Sequence, residues 1–230
     1  MIRALIFDLD GTLYRMGPVR RRMMGRLMLA ALRNPVAGLK TLKILRSFRQ
    51  AHETLRAAAA EHVDLHQAQL NLASAESGAP VEEIRAAVTR WMEEEPLDLL
   101  RRYPHKGMHE LLDEARRRSI PMAVVSDYPA KRKVQALGLE RYFEHVISAQ
   151  DPDVQALKPH PRGLEMALRR LGVRAADAVY IGDRPEVDGV CAERAGARSM
   201  IVDAASGFQV SMLWSGEDQA VVVKEGMGMA

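Results

Sequence analysis

The chain has 230 residues, of which 47% are apolar and 27% charged, and its formal net charge is +3. This length is typical of one globular core with a smaller appended unit. The 5% share of aromatic residues disfavours an all-β sandwich or a base-stacking surface. A single cysteine, Cys191, excludes an internal disulfide. The N-terminus lacks a signal peptide's apolar run, and the longest uncharged stretch, 204–216, is too short to span a bilayer. We therefore expect a cytoplasmic protein without a membrane span.

The chain begins with a short apolar run at residues 3–7, which is typical of a buried parallel strand. Similar runs predict four more strands, at 122–125, 145–149, 179–182 and 199–202. Amphipathic segments with helical spacing lie between them, at 108–118, 130–137, 163–171 and 187–195. This alternation predicts an α/β fold, a three-layer Rossmann-like core in which helices cover both faces of a parallel sheet.

Residues 17–102 interrupt the alternation, because they contain no convincing strand. Prolines at positions 18, 35, 80 and 96 divide this region into about four predicted helices. We therefore expect an all-helical cap domain at 17–102, inserted into an α/β core formed by 1–16 and 103–230. The segment after Ala204 allows either a late strand or a frayed end.

The basic charge is concentrated in one part of the chain. Residues 15–56 hold eleven Lys or Arg and one acid, Glu53, a local net charge of +10, whereas the remaining residues hold 22 bases and 29 acids. A helical projection from Val36 onward places one set of apolar residues opposite the bases, namely Leu42, Ile44, Leu45, Phe48 and Leu55. A solvated helix face is one interpretation. The other is a preference for an anionic membrane surface or a lipid-linked phosphate, whereas nucleic acid is not expected because no aromatic residues interleave with the bases.

Polar residues follow three of the predicted strands. In open parallel sheets, ligands bind beyond the carboxyl ends of the strands, so these positions are candidates for chemistry. They are Asp8, Asp10 and Thr12 after the first strand, Ser126 after the second, and Asp183 and Asp188 after strand 179–182. Lys158 lies between the last two groups in sequence.

Carboxylates that converge at one sheet edge repel one another unless a cation lies among them. Ligation by oxygen atoms alone suits a hard ion, and Mg²⁺ characteristically binds through one or two carboxylates, waters and substrate phosphate. The pattern therefore predicts a magnesium site, with Lys158 stabilised by the acidic cluster or by a bound phosphate.

Four segments carry a resemblance to a known family. The sequences FDLDGTLY, VVSD, ALKPHP and GDRPEVD are similar, in identity and order, to the four motifs of haloacid dehalogenase superfamily hydrolases. The resemblance covers roughly residues 1–16 and 103–205, and the helical insertion after the first motif is similar to the cap of phosphoglycolate-phosphatase-like members.

The resemblance implies a mechanism. Asp8 attacks phosphorus and forms an acyl-phosphate, and Asp10 protonates the leaving oxygen and later deprotonates a water. Thr12, Ser126 and Lys158 bind the phosphoryl oxygens. Members that displace halide from carbon lack an aspartate two residues after the nucleophile, so Asp10 favours phosphate esters over haloacids.

The resemblance also implies the metal ligands. Asp8, the Asp10 backbone carbonyl and Asp183 hold Mg²⁺, and Asp188 binds it through water or orients Lys158. The expected enzyme is a Mg²⁺-dependent phosphatase acting on a small phosphate monoester. Two alternatives stay open: a phosphomutase of the same superfamily, and a membrane- or partner-binding protein that uses the basic cap. Neither substrate identity nor oligomeric state can be deduced from the residues.

Overall fold

The computed structural model describes residues 1–58, 61, 63–202, 207–208 and 213. Five strands form one parallel sheet in the order β3-β2-β1-β4-β5. Their bounds are β1 Ala4–Phe7, β2 Met122–Ser126, β3 His145–Ser148, β4 Ala178–Gly182 and β5 Arg198–Ile201. The predicted parallel sheet is therefore confirmed, with β1 at its centre.

Alternate residues of β1 point into two separate apolar clusters, one on each face of the sheet. Leu5 and Phe7 belong to the first cluster, and Ala4 and Ile6 belong to the second. Helices α6 (Met108–Arg117) and α7 (Lys131–Leu137) cover the first face, and α8 (Arg162–Leu171) and α9 (Val190–Arg194) cover the second. Helices on both faces of a buried parallel sheet make the three layers that the strand and helix alternation predicts.

Between β1 and α6 the described residues form helices, and we refer to this segment as the helical insertion. Its helices are α1 Met16–Arg33, α2 Pro35–Ala58, α3 Leu65–Ser77, α4 Val81–Val88 and α5 Leu97–Leu100, with a π-helical turn at Thr89–Glu94. The insertion has an apolar cluster of its own, which includes Leu27, Phe48, Leu70 and Ile84. Asn34 separates α1 from α2, and its side-chain Oδ1 accepts a hydrogen bond from the backbone N of Ala37 at 3.1 Å.

Most predicted boundaries agree with the structure to within a residue. The predicted helix 187–195 differs more, because its regular part, α9, begins only at Val190 after a π-helical turn at Pro185–Gly189. Two further predictions need correction. Strand β5 covers 198–201, because residue 198 pairs with Val179 and residue 202 lies beyond the ladder. The amphipathic prediction for α2 is wrong for Leu42, which is 36% exposed, whereas the other four apolar residues of that set are buried. Leu42 projects near Arg46 and Arg49, on the side of α2 that does not contact the rest of the insertion.

The part of the chain that the structure describes contains no helix with both the length and the apolar character needed to cross a bilayer. Phe208 and Leu213 contact the apolar cluster of the first sheet face. The predicted late strand after Ala204, including Trp214 and 221–223, lies outside the described residues apart from isolated positions.

Candidate active site

The carboxyl ends of β1, β2 and β4 meet at one edge of the sheet. Phe7 pairs with Val124 of β2 and with Ile181 of β4. Asp8 directly follows β1, Ser126 is the last residue of β2, and Asp183 directly follows β4. Neighbouring parallel strands end side by side, so the backbone alone brings these three positions together.

Lys158 contacts two aspartates of the site, Asp8 and Asp188. Its Nζ donates to Asp8 Oδ1 at 2.5 Å, to Asp188 Oδ1 at 2.7 Å and to the hydroxyl of Tyr180 at 3.1 Å. Burial alone would lower the pKa of Lys158, but Asp188 and Asp8 raise it well above its usual value. Lys158 is therefore a buried ammonium that faces the Asp8 carboxylate.

Asp188 occupies a π-helical turn, Pro185–Gly189, rather than a regular helix. Its Oδ2 accepts from the backbone N of Asp183 at 3.2 Å and of Arg184 at 3.1 Å, while Oδ1 binds Lys158. Gly182 makes this approach possible, since a Cβ there would lie 2.4 Å from the Asp188 side chain. Both Asp188 oxygens are therefore engaged, one by Lys158 and the other by two backbone N–H groups.

The turn after β1 depends on a glycine. Gly11 has φ +107°, and a Cβ at this position would lie 2.2 Å from Asp183 Oδ2, so the backbone can approach that carboxylate only without a side chain. The next residue, Thr12, is buried, and its Oγ1 donates to Asp8 Oδ2 at 3.0 Å. At the end of β2, the Oγ of Ser126 accepts from the backbone N of Tyr128 at 3.2 Å.

Three carboxylates lie close enough to hold one cation. Oxygens of Asp8, Asp183 and Asp188 lie within 4.8 Å of one another. Burial raises the pKa of Asp8 to about 8, because Lys158 only partly offsets burial and the nearby Asp188. Burial, followed by repulsion from Asp188, raises the pKa of Asp183 to about 6. A divalent ion would remove this repulsion, so the three residues fit a hard cation with oxygen ligands.

The Asp10 carboxylate lies outside this group of three aspartates. It contacts Lys133, which was not predicted as a site residue. Lys133 Nζ lies 2.7 Å from both Asp10 oxygens, and the Tyr14 hydroxyl donates to Oδ1 at 2.5 Å. Burial, and then the charge of Asp10, raises the pKa of Tyr14 well above its usual value. A signal for Lys133 did exist, since it lies four residues before buried Leu137 on the inner face of α7.

A second missed contact joins the helical insertion to the core. Arg56 of α2 places Nη2 2.9 Å from Asp127 Oδ2, and its Nε donates to the backbone oxygen of Lys158 at 3.1 Å. Asp127 Oδ1 in turn accepts from the backbone N of Lys158 at 3.0 Å. His52, also on α2, stacks on Tyr128 with ring centroids 4.6 Å apart. Two turns of α2 therefore lie against the segments that carry Ser126 and Lys158.

Comparison with known proteins gives the family. Residues 2–196 match the model described as haloacid dehalogenase-like hydrolase. The chain belongs to the haloacid dehalogenase-like hydrolases. The glyceraldehyde 3-phosphate phosphatase of Methanopyrus kandleri is 31% identical over 204 residues, which cover 85% of this chain and 82% of that protein. The phosphoglycolate phosphatase of Shigella boydii serotype 4 is 27% identical over 193 residues, which cover 79% and 74%.

Among solved structures, the 2-haloacid dehalogenase from Pseudomonas syringae pv. Tomato DC3000 superimposes with a TM-score of 0.62, covering 96% of this chain and 92% of the other at 21% identity. At this identity the match shows the fold alone. Membership of the haloacid dehalogenase-like hydrolases confirms the family that the four motifs predicted, and with it a hydrolytic enzyme on a Rossmann-like core. The roles of the individual site residues stay predictions.

Proposed function

We propose that this haloacid dehalogenase-like hydrolase is a Mg²⁺-dependent phosphatase that hydrolyses a small phosphate monoester through a phospho-aspartate on Asp8. The observation that carries the proposal is the contact of the buried Lys158 Nζ with Asp8 Oδ1 at 2.5 Å, beside two further carboxylates. A nucleophilic carboxylate, a fixed cation and a cation-binding trio are the groups that phosphoryl transfer requires. The relatives named as phosphatases of glyceraldehyde 3-phosphate and phosphoglycolate support a small phosphorylated substrate.

Asp8, Asp183 and the Asp10 backbone carbonyl would hold Mg²⁺, with Asp188 nearby to bind through water or to orient Lys158. When bound, the ion would neutralise charge on these carboxylates and on the phosphoryl oxygens. Magnesium fits this donor set better than a softer metal because every candidate ligand is an oxygen.

In the first step, a carboxylate oxygen of Asp8 attacks phosphorus, and the bond between phosphorus and the ester oxygen breaks. Asp10 gives its proton to that oxygen, and the alcohol leaves. Lys158, Thr12 and Ser126 bind the phosphoryl oxygens during this transfer, and the fixed charge of Lys158 offsets the negative charge that develops there.

In the second step, Asp10 takes a proton from water, and the water oxygen attacks phosphorus. The bond between phosphorus and Asp8 breaks, inorganic phosphate is released, and the proton remains on Asp10 for the next cycle. Asp10 also favours phosphate esters over haloacids, because displacement of halide from carbon needs no proton donor for the leaving group.

Residues 17–102 act in this proposal as the cap, and residues 1–16 and 103–230 as the catalytic core. A cap excludes water and contacts the leaving group, so it selects the substrate. His52 and Arg56 of α2 support this arrangement, since they lie against Tyr128 and Asp127 beside the phosphate-binding residues. A cytoplasmic location belongs to the same proposal.

The test compares purified wild-type protein with Asp8→Asn on a generic aryl phosphate with Mg²⁺. Because Asn cannot form the acyl-phosphate, turnover is expected to fall by at least about 10³-fold. Asp153→Asn is the matched control, since the Asp153 side chain is 67% exposed and forms only a surface ion pair. Excess chelator should abolish wild-type activity, and turnover that survives in Asp8→Asn would reject the mechanism.

A phosphomutase shares the first step and differs in the acceptor. The phosphoenzyme can be trapped with labelled substrate and then offered water alone or water with a sugar phosphate. Prompt release of inorganic phosphate in water supports the phosphatase. Transfer to the sugar phosphate, with slow release in water alone, supports the mutase.

A further inference from the structure

An apolar surface lies where α1 ends and α2 begins. The described part of the chain has eleven exposed large apolar side chains, and seven of them belong to residues 24–42. We call residues 24–43 the hairpin tip. Its exposed apolar side chains are Met24, Met28, Leu29, Leu32, Val36, Leu39 and Leu42. Single exposed apolar residues are ordinary, but larger exposed apolar patches are typical of interaction sites.

The packing of the two helices directs these side chains outward. Gly38 of α2 approaches Ala31 of α1 so closely that a Cβ on Gly38 would lie 2.3 Å from the Ala31 Cβ. Small residues therefore form the contact between the helices, and larger ones have no room there. As a result Leu32 is 81% exposed, Val36 80% and Leu39 68%.

Basic side chains border the same surface. Residues 15–52 contain ten Lys or Arg and no acid, and two of these bases, Arg26 and Lys40, pair with acids of other helices. Arg21, Arg33, Lys43 and Arg46 are exposed, and within the described residues no carboxylate lies within 4.0 Å of any of them. On a helical projection Arg21 lies beside Met24, Met28 and Leu32, and Lys43 lies beside Leu39, so the bases border the apolar side chains.

These features together restrict the partner. A second copy of the chain would bring the same basic surface against itself, because a twofold contact pairs identical patches. Single-stranded nucleic acid binds through aromatic platforms, and the exposed apolar side chains here are aliphatic or methionine. A lipid bilayer with anionic headgroups offers both a hydrocarbon boundary for leucine and methionine and phosphates for lysine and arginine.

We propose that the hairpin tip docks this protein on an anionic membrane surface. Leu32, Val36 and Leu39 enter the boundary between headgroups and acyl chains, and Arg33 and Lys43 bind lipid phosphates. Both contributions are needed, since a short apolar surface or a few charges alone give weak, reversible binding. The proposal is independent of catalysis, because the tip contains none of the residues assigned to the reaction.

The test is flotation of the full chain with vesicles of phosphatidylcholine that contain about 40% phosphatidylglycerol, in about 0.15 M salt, against vesicles of phosphatidylcholine alone. Binding is expected to the anionic vesicles only, and to weaken as salt is raised. The double variant Leu32→Glu with Leu39→Glu is expected to lower the partition coefficient by at least about tenfold, because each carboxylate replaces an inserted side chain. Arg33→Glu with Lys43→Glu should produce a loss of similar size through repulsion.

Matched controls separate this proposal from general surface effects. Leu72→Glu on α3 and Arg169→Glu on α8 make the same chemical changes at exposed positions outside the tip, and should bind as wild type does. Asp8→Asn should also bind normally, and the tip variants should hydrolyse a soluble aryl phosphate at the wild-type rate. The proposal is overturned by absent binding to anionic vesicles, or by equal binding of tip and control variants. Self-association that the leucine variants abolish, without vesicle binding, would also overturn it by assigning the surface to a second copy.

Discussion

At the scale of single residues, the position of Asp10 depends on two neighbours, Tyr14 in the same motif and Lys133 on α7. The Lys133 ammonium reaches both carboxylate oxygens at 2.7 Å, and the Tyr14 hydroxyl reaches one of them. Two donors from different directions leave the Asp10 carboxylate little freedom to rotate. In the proposed reaction Asp10 both gives and takes a proton and must keep its geometry through two steps, so we expect these donors to affect the rate rather than substrate binding.

We therefore predict that Lys133→Met lowers kcat by about tenfold or more and changes KM little, because a displaced catalytic group costs rate rather than affinity. Steady-state kinetics on an aryl phosphate measure both. Lys131→Met is the control, since Lys131 is exposed on the same helix. Lys133→Arg should recover part of the loss, and equal kinetics for the two methionine variants would show that Lys133 does not position Asp10.

At the scale of elements, α2 contributes to two different surfaces. Its first turns belong to the exposed hairpin tip, and its last turns carry His52 and Arg56 against the core. The Arg56 contact with Asp127 is almost fully buried, with side-chain exposures of 10% and 8%. Burial alone would raise the pKa of Asp127, but Lys158, His52 and Arg56 together outweigh it and hold this pKa well below its usual value.

This depressed pKa predicts a pH dependence of stability. Asp127 binds its proton more weakly in the folded state than in the unfolded state, where the pKa is near 3.8. The contribution of the Asp127 carboxylate to folding stability is therefore fully present above about pH 4 and is lost on further acidification. Asp127→Asn should lower the free energy of unfolding at pH 7 by about 3 kcal/mol, because Arg56 loses its buried partner. The difference from wild type should shrink between pH 4 and pH 2.

Urea unfolding at pH 7, 4 and 3 measures this effect, with Asp153→Asn as the exposed control. A difference between Asp127→Asn and wild type that stays constant over this range would contradict the depressed pKa. An unchanged stability at pH 7 would show that the contact between α2 and the core is energetically neutral.

At the scale of the whole molecule, the three aspartates at the edge of the sheet form a candidate cation site, and binding there would be coupled to folding. Asp8 and Asp183 both have raised pKa values because the fold buries them near Asp188. A cation that binds only the folded state stabilises that state by mass action. The unfolded chain scatters these aspartates and has no comparable site.

We therefore predict that Mg²⁺ raises Tm. At about 100 times its Kd the stabilisation is about 2.7 kcal/mol, which corresponds to a rise of about 5 to 10 °C for a chain of this size. Asp183→Asn should lose most of this rise, whereas Asp153→Asn should keep it. Differential scanning calorimetry with and without Mg²⁺ provides the measurement. An equal rise in both variants would mean that the ion binds elsewhere.

Local patterns were sufficient to predict the five strands and the helices of the core, because a buried parallel strand is apolar throughout and a covering helix repeats with its own period. They were also sufficient to predict that Asp8, Ser126 and Asp183 lie together, since parallel strands place their carboxyl ends at one edge. The sequence did not predict Lys133, Arg56 and His52 as site residues, because no local pattern identifies them. Arg56 and His52 are two basic residues among several on α2, and the sequence does not show which of them faces the site. The spacing of Lys133 from Leu137 places it on the inner face of α7, but it does not show that the side chain reaches Asp10.

The amino-acid sequence by itself therefore determined the layered core, the family and the order of residues along the sheet edge, because these depend on short-range periodicity and on motifs read within a few residues. Only the tertiary structure decided the partners of Asp10 and Asp127 and the outward orientation of the hairpin tip. Those features depend on how helices distant in the chain pack against the sheet and against each other. That packing results from many contacts between residues far apart in the sequence, which no local pattern specifies.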